Sequence, residues 1–216
     1  MFKENEKNWE KAFQKFSKNI HLAKVLGEYN IEKYLNNEDK KKKTLDFGCG
    51  NGRFLTNLKY KNYKNLFAYD VTDNLYKKDG GGGITFIYDP EKNLKNLEKF
   101  FPFDIIIVSG VLHHLEFPFQ TIEKIMTLQK SSKLKIICIE PTKTILRSLC
   151  EKMLLDMKFG KFFFKSTTEC LINEYPTYKP WTNISVDTII LNLKNIGFKK
   201  IFIKKTLFNV EFVAIN

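Results

Sequence analysis

Arginine is nearly missing from this chain. Of its 36 basic residues only Arg53 and Arg147 are arginines, and all the others are lysines. Sequence-reading nucleic-acid binders rely on the planar arginine fork for bidentate contacts, so a formal charge of +12 built from lysine points only weakly to such a partner. The accompanying surplus of Asn, Ile and Phe fits a bias toward A/T-rich codons, which loads lysine onto any solvated surface. Nucleic acid is therefore not the expected partner. Cysteine is sparse as well. Cys49, Cys138, Cys150 and Cys170 stand far apart with no CxxC pair, which argues against a zinc knuckle or a disulfide framework and leaves ordinary buried thiols. No metal is expected. The chain also lacks an uncharged run of about 18 residues, the length a membrane span needs. Residues Met1 to Glu10 are charged and lack the apolar core of a secretory signal. These absences predict a cytoplasmic protein with no membrane partner. Oligomeric state has no signature in the sequence.

What is present suits folding. Apolar residues make up 43% of the 216, with 20 phenylalanines, enough to bury one core and too short a chain for two full domains. A single domain spanning 1–216 is expected. From Glu4 to Leu35 apolar residues recur at helical intervals (Trp9, Phe13, Phe16, Ile20, Ala23, Leu26), predicting a helical cap over residues 1–36. The polar run Lys40 to Lys43 reads as a solvated loop.

Beyond it, short apolar runs alternate with helical patterns. Strands are predicted at Thr44 to Phe47, Leu66 to Tyr69, Ile84 to Ile87, Ile105 to Val108 and Leu134 to Ile139. Helices are predicted at Arg53 to Leu58, Leu94 to Phe101, Phe119 to Leu128 and Ile145 to Met157. This order predicts a parallel sheet of right-handed crossover units. After a helix at Val186 to Asn195, stopped by Gly197, two strand-like segments (Lys199 to Lys204 and Leu207 to Ile215) follow almost without a gap. A parallel crossover needs a dozen or so residues, so this pair must be an antiparallel hairpin. Val71 to Gly83, with its tetraglycine Gly80 to Gly83, leaves scarcely any room for a crossover helix and reads as a loop. Aromatics and prolines between residues 160 and 185 read as an insertion near a substrate cleft.

The chemistry concentrates at strand ends. In Asp46-Phe47-Gly48-Cys49-Gly50-Asn51-Gly52 a strand ends in three alternate glycines and a helix follows. Glycines permit positive φ and close approach of a ligand, and the helix N-terminus offers free N–H groups. The spacing is GxGxG rather than the GxGxxG of nicotinamide binders, and the acidic Asp46 suits a cationic cofactor better than a pyrophosphate. The second strand ends at Asp70, followed by Val71, placed to accept ribose hydroxyls. The third ends at Tyr88-Asp89, where a carboxylate can receive an adenine amino group. The fourth runs through Ser109 into Val111-Leu112-His113-His114-Leu115, and the fifth ends at Glu140. Asp70 and Asp89 each have a plainer use as a helix cap, and either histidine could be structural. Cys49 lacks a supporting base and reads as a small side chain filling the turn.

From Thr44 to Pro141 this ordered set resembles the class I S-adenosylmethionine-dependent methyltransferases, in particular the ubiquinone/menaquinone and sugar O-methyltransferase group. The resemblance implies a Rossmann-like seven-stranded mixed sheet, mostly parallel, with an antiparallel C-terminal hairpin and flanking helices. It implies S-adenosyl-L-methionine as cofactor. Asp46, Gly48, Cys49, Gly50 and Gly52 would lie at its methionine part, Asp70 and Val71 at the ribose, Tyr88 and Asp89 at the adenine, and Ser109 at its inner face. His113, with His114 as orienter or alternate base, would deprotonate the hydroxyl of a small polar metabolite or glycan precursor. Trp9, Tyr29 and Glu140 are candidate substrate contacts. An RNA or protein methyltransferase using the basic surface is the alternative. No Asn/Asp-Pro-Pro-Tyr motif for amino-group methylation follows the fourth strand, which counts against it.

Overall fold

The computed structural model describes residues 31–50, 52–72, 83–130, 133–155, 172 and 179–216. The expected N-terminal helices before Ile31, most of the aromatic insertion, the connection over 73–82, and with them Trp9 and Tyr29, lie outside the described residues.

Seven strands form one sheet: β1 (Lys43–Phe47), β2 (Asn65–Asp70), β3 (Ile84–Tyr88), β4 (Ile105–Ser109), β5 (Lys135–Pro141), β6 (Lys200–Lys205) and β7 (Asn209–Ile215). Their order is β3-β2-β1-β4-β5-β7-β6. β1 to β5 run parallel, and β7 is antiparallel to both β5 and β6. Only residues 206–208 join β6 to β7, too few for a crossover, so the pair closes as the hairpin that its sequence required. The strand order reverses between β1 and β4, and open α/β sheets bind ligands at such a switch point, outside the carboxyl ends of the strands.

The strand sequences follow from burial on both faces. Ile105, Ile106, Ile107 and Val108 of β4 are each at most 2% exposed, which is why the segment is an unbroken apolar run instead of an alternation. On one face Leu45, Phe47, Ile106, Val108, Ile136 and Phe212 pack with α2 (Lys95–Glu98), α3 (Pro118–Leu128) and α5 (Val186–Ile196). On the other, Ile105, Ile107, Ile137, Ile139 and Val213 pack with Leu55 and Leu58 of α1 (Arg53–Tyr60) and with Ile31. A further helix, α4 (Ile145–Leu155), follows β5. Ser185 caps α5 by accepting from the Thr188 N–H at 3.1 Å, and Gly197 ends it in the left-handed conformation at φ 110°.

Two local expectations change. The helix expected over Leu94 to Phe101 contracts to the single turn α2, because Leu94 enters it at φ 65° and the Phe101-Pro102 pair ends it. The lysine run is not a free loop. Residues Glu38–Lys41 make a 3₁₀ turn around the buried Asp39, whose carboxylate pairs with Lys42 at 2.9 Å and Lys135 at 3.2 Å, while Lys43 already belongs to β1.

Candidate functional site at the carboxyl edge of the sheet

The glycine turn leaves β1 with Gly48, Gly50 and Gly52 at φ 77°, 53° and 70°. The end of β2 grips it: the Gly48 and Cys49 N–H groups donate to the Tyr69 carbonyl at 2.8 and 3.0 Å, and the Gly50 N–H donates to Asp70 Oδ2 at 2.8 Å. Glycine is obligatory at position 48. A Cβ there would lie 2.4 Å from Val111 Cγ2, and φ is in the region that side chains avoid. Gly48→Ala is expected to lower stability by about 2–4 kcal/mol in a denaturant melt, clash and backbone strain combined. Adding Val111→Ala should recover only the clash part. At the other end of the turn Gly52 is the N-cap of α1, in the left-handed conformation, so the helix N-terminus points its dipole at this edge.

Two buried carboxylates face this turn without an ion pair to any described residue. Asp46 is 4% exposed, and desolvation first, then the charge of Asp70, pushes its pKa up to about 7. Asp70 is also raised by burial, against hydrogen bonds from Gly50 and from the backbone and hydroxyl of Thr72 at 3.0 and 3.1 Å. A site that buries two carboxylates and supplies no cation from its own described residues favours a ligand that brings one.

Asp89, expected at the adenine, closes the end of β3. It is 1% exposed, and its Oδ2 accepts from the Tyr69 hydroxyl at 3.0 Å and the Leu94 N–H at 2.8 Å, so the carboxylate braces the loop after β3. Neighbouring Tyr88 is exposed, and Val71 and Ser109 are half-buried. Cys49 is buried, and desolvation followed by the charges of Asp46 and Asp70 drives its thiol pKa far up, which removes it as a nucleophile.

After β4, residues Leu112–His114 make one 3₁₀ turn. Glu140, at the end of the adjacent β5 and 0% exposed, organises that turn: its Oε1 accepts from the Val111 and Leu112 N–H groups, both at 2.8 Å, and its Oε2 lies 2.7 Å from His113 Nδ1. In the tautomer whose Nδ1–H donates to Oε2, Nε2 is the nitrogen left as the base. Glu140, expected as a substrate contact, is enclosed among these three partners and so is placed to hold the His113 ring. Its role was hidden in the sequence because it depends on the β4–β5 register, Ser109 opposite Ile139, which brings Glu140 beside the turn. His114 lies against His113 with ring centroids 4.0 Å apart. Desolvation, then the charge of His113, lowers its pKa well below the usual imidazole range, so its ring is neutral at neutral pH.

The sequence matches the family described as methyltransferase domain over residues 9–168. The chain belongs to that methyltransferase family. Its members use S-adenosylmethionine. No curated protein matches the chain by sequence. Solved structures share its fold at low identity. A SAM-dependent methyltransferase from Aquifex aeolicus aligns with TM-score 0.60 and 16% identity, over 94% of this chain and 97% of that one. The plantazolicin methyltransferase BamL, solved with SAH, aligns with TM-score 0.60 and 14% identity over 98% and 96%. The magnesium protoporphyrin IX methyltransferase of Synechocystis, also with SAH bound, aligns with TM-score 0.54 and 15% identity over 86% and 78%. The methyltransferase thus has the seven-stranded mixed sheet that its residue pattern implied, with Asp46, Asp70, the glycine turn and the His113–Glu140 pair gathered at one sheet edge.

Proposed function

We propose that this methyltransferase carries a methyl group from S-adenosyl-L-methionine to a hydroxyl of a small polar metabolite or glycan precursor, such as a surface-polysaccharide building block, with His113 as the base. The observation that carries this reading is the 2.7 Å pairing of His113 Nδ1 with the buried Glu140, beside the glycine turn. The neighbouring folds act on acceptors as different as plantazolicin analogues and a magnesium porphyrin, so the acceptor is argued from the site and not from the fold.

The residues fit the cofactor. Asp46, buried without a hydrogen bond from a described residue, offers the carboxylate that a sulfonium or ammonium group wants; Gly48, Cys49, Gly50 and Gly52 supply backbone close to the ligand, and Asp70, which holds the turn at the end of β2, stands at the proposed ribose position. Val71, Tyr88, Asp89 and Ser109 complete the proposed lining. When bound, S-adenosylmethionine supplies a methyl group on a sulfur that leaves as a neutral thioether, so no acid is needed. The chain's own work is alignment, exclusion of water and removal of one proton. His113 accepts that proton from the acceptor hydroxyl at Nε2. Glu140 holds the ring by Nδ1 and offsets the charge that develops on it.

Glu140→Gln tests this directly. The glutamine carbonyl can still accept from the backbone N–H groups, but its amide would donate to Nδ1 and force the proton onto Nε2, the wrong tautomer for a base. The expected result is a fall in kcat of about 10- to 100-fold, with KM for the cofactor unchanged and the histidine ¹⁵N shifts reporting the exchanged tautomer. Unchanged turnover with the exchanged tautomer would remove His113 from the mechanism.

A further inference from the structure

Helix α4 is amphipathic the wrong way round for a helix packed on a protein core. Its charged pair, Arg147 and Glu151, joined at 2.5 Å, has side chains only 18% exposed and turns toward the domain, where the Arg147 guanidinium also donates to the Phe208 carbonyl at 3.0 Å. Four of its large apolar residues turn outward instead, while Leu155 is half-buried: Ile145 is 84% exposed, Leu146 40%, Leu149 54% and Met153 54%. At 100° per residue these four fall within an arc of about 100°, a continuous outward stripe. Exposed Lys152 flanks that stripe, and exposed Lys143 precedes it. The patch extends onto the hairpin tip, because the Thr144 hydroxyl donates to the Leu207 carbonyl, and Leu207 is 65% exposed next to exposed Lys205.

A stripe of long apolar side chains bordered by lysines, with its one acid turned inward and neutralised, has the chemistry of an interfacial helix. We propose that α4 and the β6–β7 tip dock the methyltransferase on an anionic bilayer surface. Apolar side chains would enter the headgroup boundary, and the lysines, backed by the chain's charge of +12, would meet the acidic headgroups. The absence of a described helix long and apolar enough to cross a membrane does not bear on this mode, which needs a stripe and not a span. α4 begins a few residues after Glu140, so docking sets the carboxyl edge of the sheet near the interface, within reach of an acceptor anchored there. The inference goes beyond the methyl-transfer reading, and its test is separate from it.

The experiment is co-sedimentation of the full chain with phosphatidylcholine vesicles, with and without phosphatidylglycerol. The native protein should pellet with the phosphatidylglycerol vesicles and be released by salt. Leu149→Ser/Met153→Ser and Lys143→Glu/Lys152→Glu should each weaken the partition by about tenfold or more, with the melting profile and the thermal shift from S-adenosylhomocysteine unaltered. No pelleting of the native chain, equal pelleting of both variants, or a native dimer in light scattering that Leu149→Ser/Met153→Ser converts to monomer would overturn the proposal, the last by showing a self-association face. Loss of the S-adenosylhomocysteine shift in the native protein would instead count against the methyl-transfer site and leave vesicle binding standing.

Discussion

A His113→Ala variant is expected to bind S-adenosylhomocysteine as the native chain does and to transfer methyl groups about 10²- to 10⁴-fold more slowly. Binding should survive because the glycine turn, Asp46 and Asp70 hang on β1 and β2, through the Tyr69 carbonyl, Gly50 and Thr72. The 3₁₀ turn should survive too, since Glu140 would keep the Val111 and Leu112 N–H groups, both at 2.8 Å. What is lost is the nitrogen that takes the proton. His114 is a poor substitute because its lowered pKa makes it a weaker base. Calorimetry with S-adenosylhomocysteine and single-turnover assays with hydroxyl acceptors separate the two effects. A parallel loss of binding and rate would make His113 a structural residue, and an undiminished rate would leave the acceptor to lose its proton elsewhere.

Asp46→Asn is expected to move stability and cofactor binding in opposite directions. The native carboxyl has a folded-state pKa of about 7, above its unfolded value, so the stability tied to its neutral form is fully present below the unfolded pKa and is lost as pH rises through about 7. Above that pH the unliganded chain holds a buried charge that costs on the order of a few kcal/mol. Asparagine removes the cost. The ligand-free variant should therefore melt at a higher temperature than the native chain at pH 8 and close to it at pH 4. The thermal shift from S-adenosylmethionine should shrink sharply in the variant and lose its rise with pH, because an amide cannot balance a cationic ligand. A variant that gains no stability at high pH would mean that Asp46 is ionised and partnered in the native fold. One that keeps the full shift would mean that the cofactor's charge is met elsewhere.

Much of the architecture was legible before any coordinates, for reasons that belong to the backbone. β4 could be recognised because a strand buried on both faces has to be apolar throughout, and the terminal hairpin because residues 206–208 cannot span a crossover. Helix lengths were less legible: a left-handed Leu94 and a following proline cut α2 to one turn, although the apolar pattern runs on. Side-chain direction was the hardest to foresee. Nothing in the spacing distinguishes Asp70, which holds the glycine turn, from Asp89, which turns inward to Tyr69 and Leu94. Nothing in the sequence of α4 says that its charged pair faces the domain while Leu146 and Leu149 stay exposed.

The glycine spacing, the acids at successive strand ends and the paired histidines pointed by themselves to one sheet edge and to a cationic cofactor, since those residue types are what local backbone geometry and charge demand. Tertiary structure alone decided how that edge works. Strand register set Glu140 beside His113, Val111 against Gly48, and Asp46 near Asp70 in a space without a described cation. Pairings of that kind join residues dozens of positions apart, so packing fixes them and no local pattern encodes them.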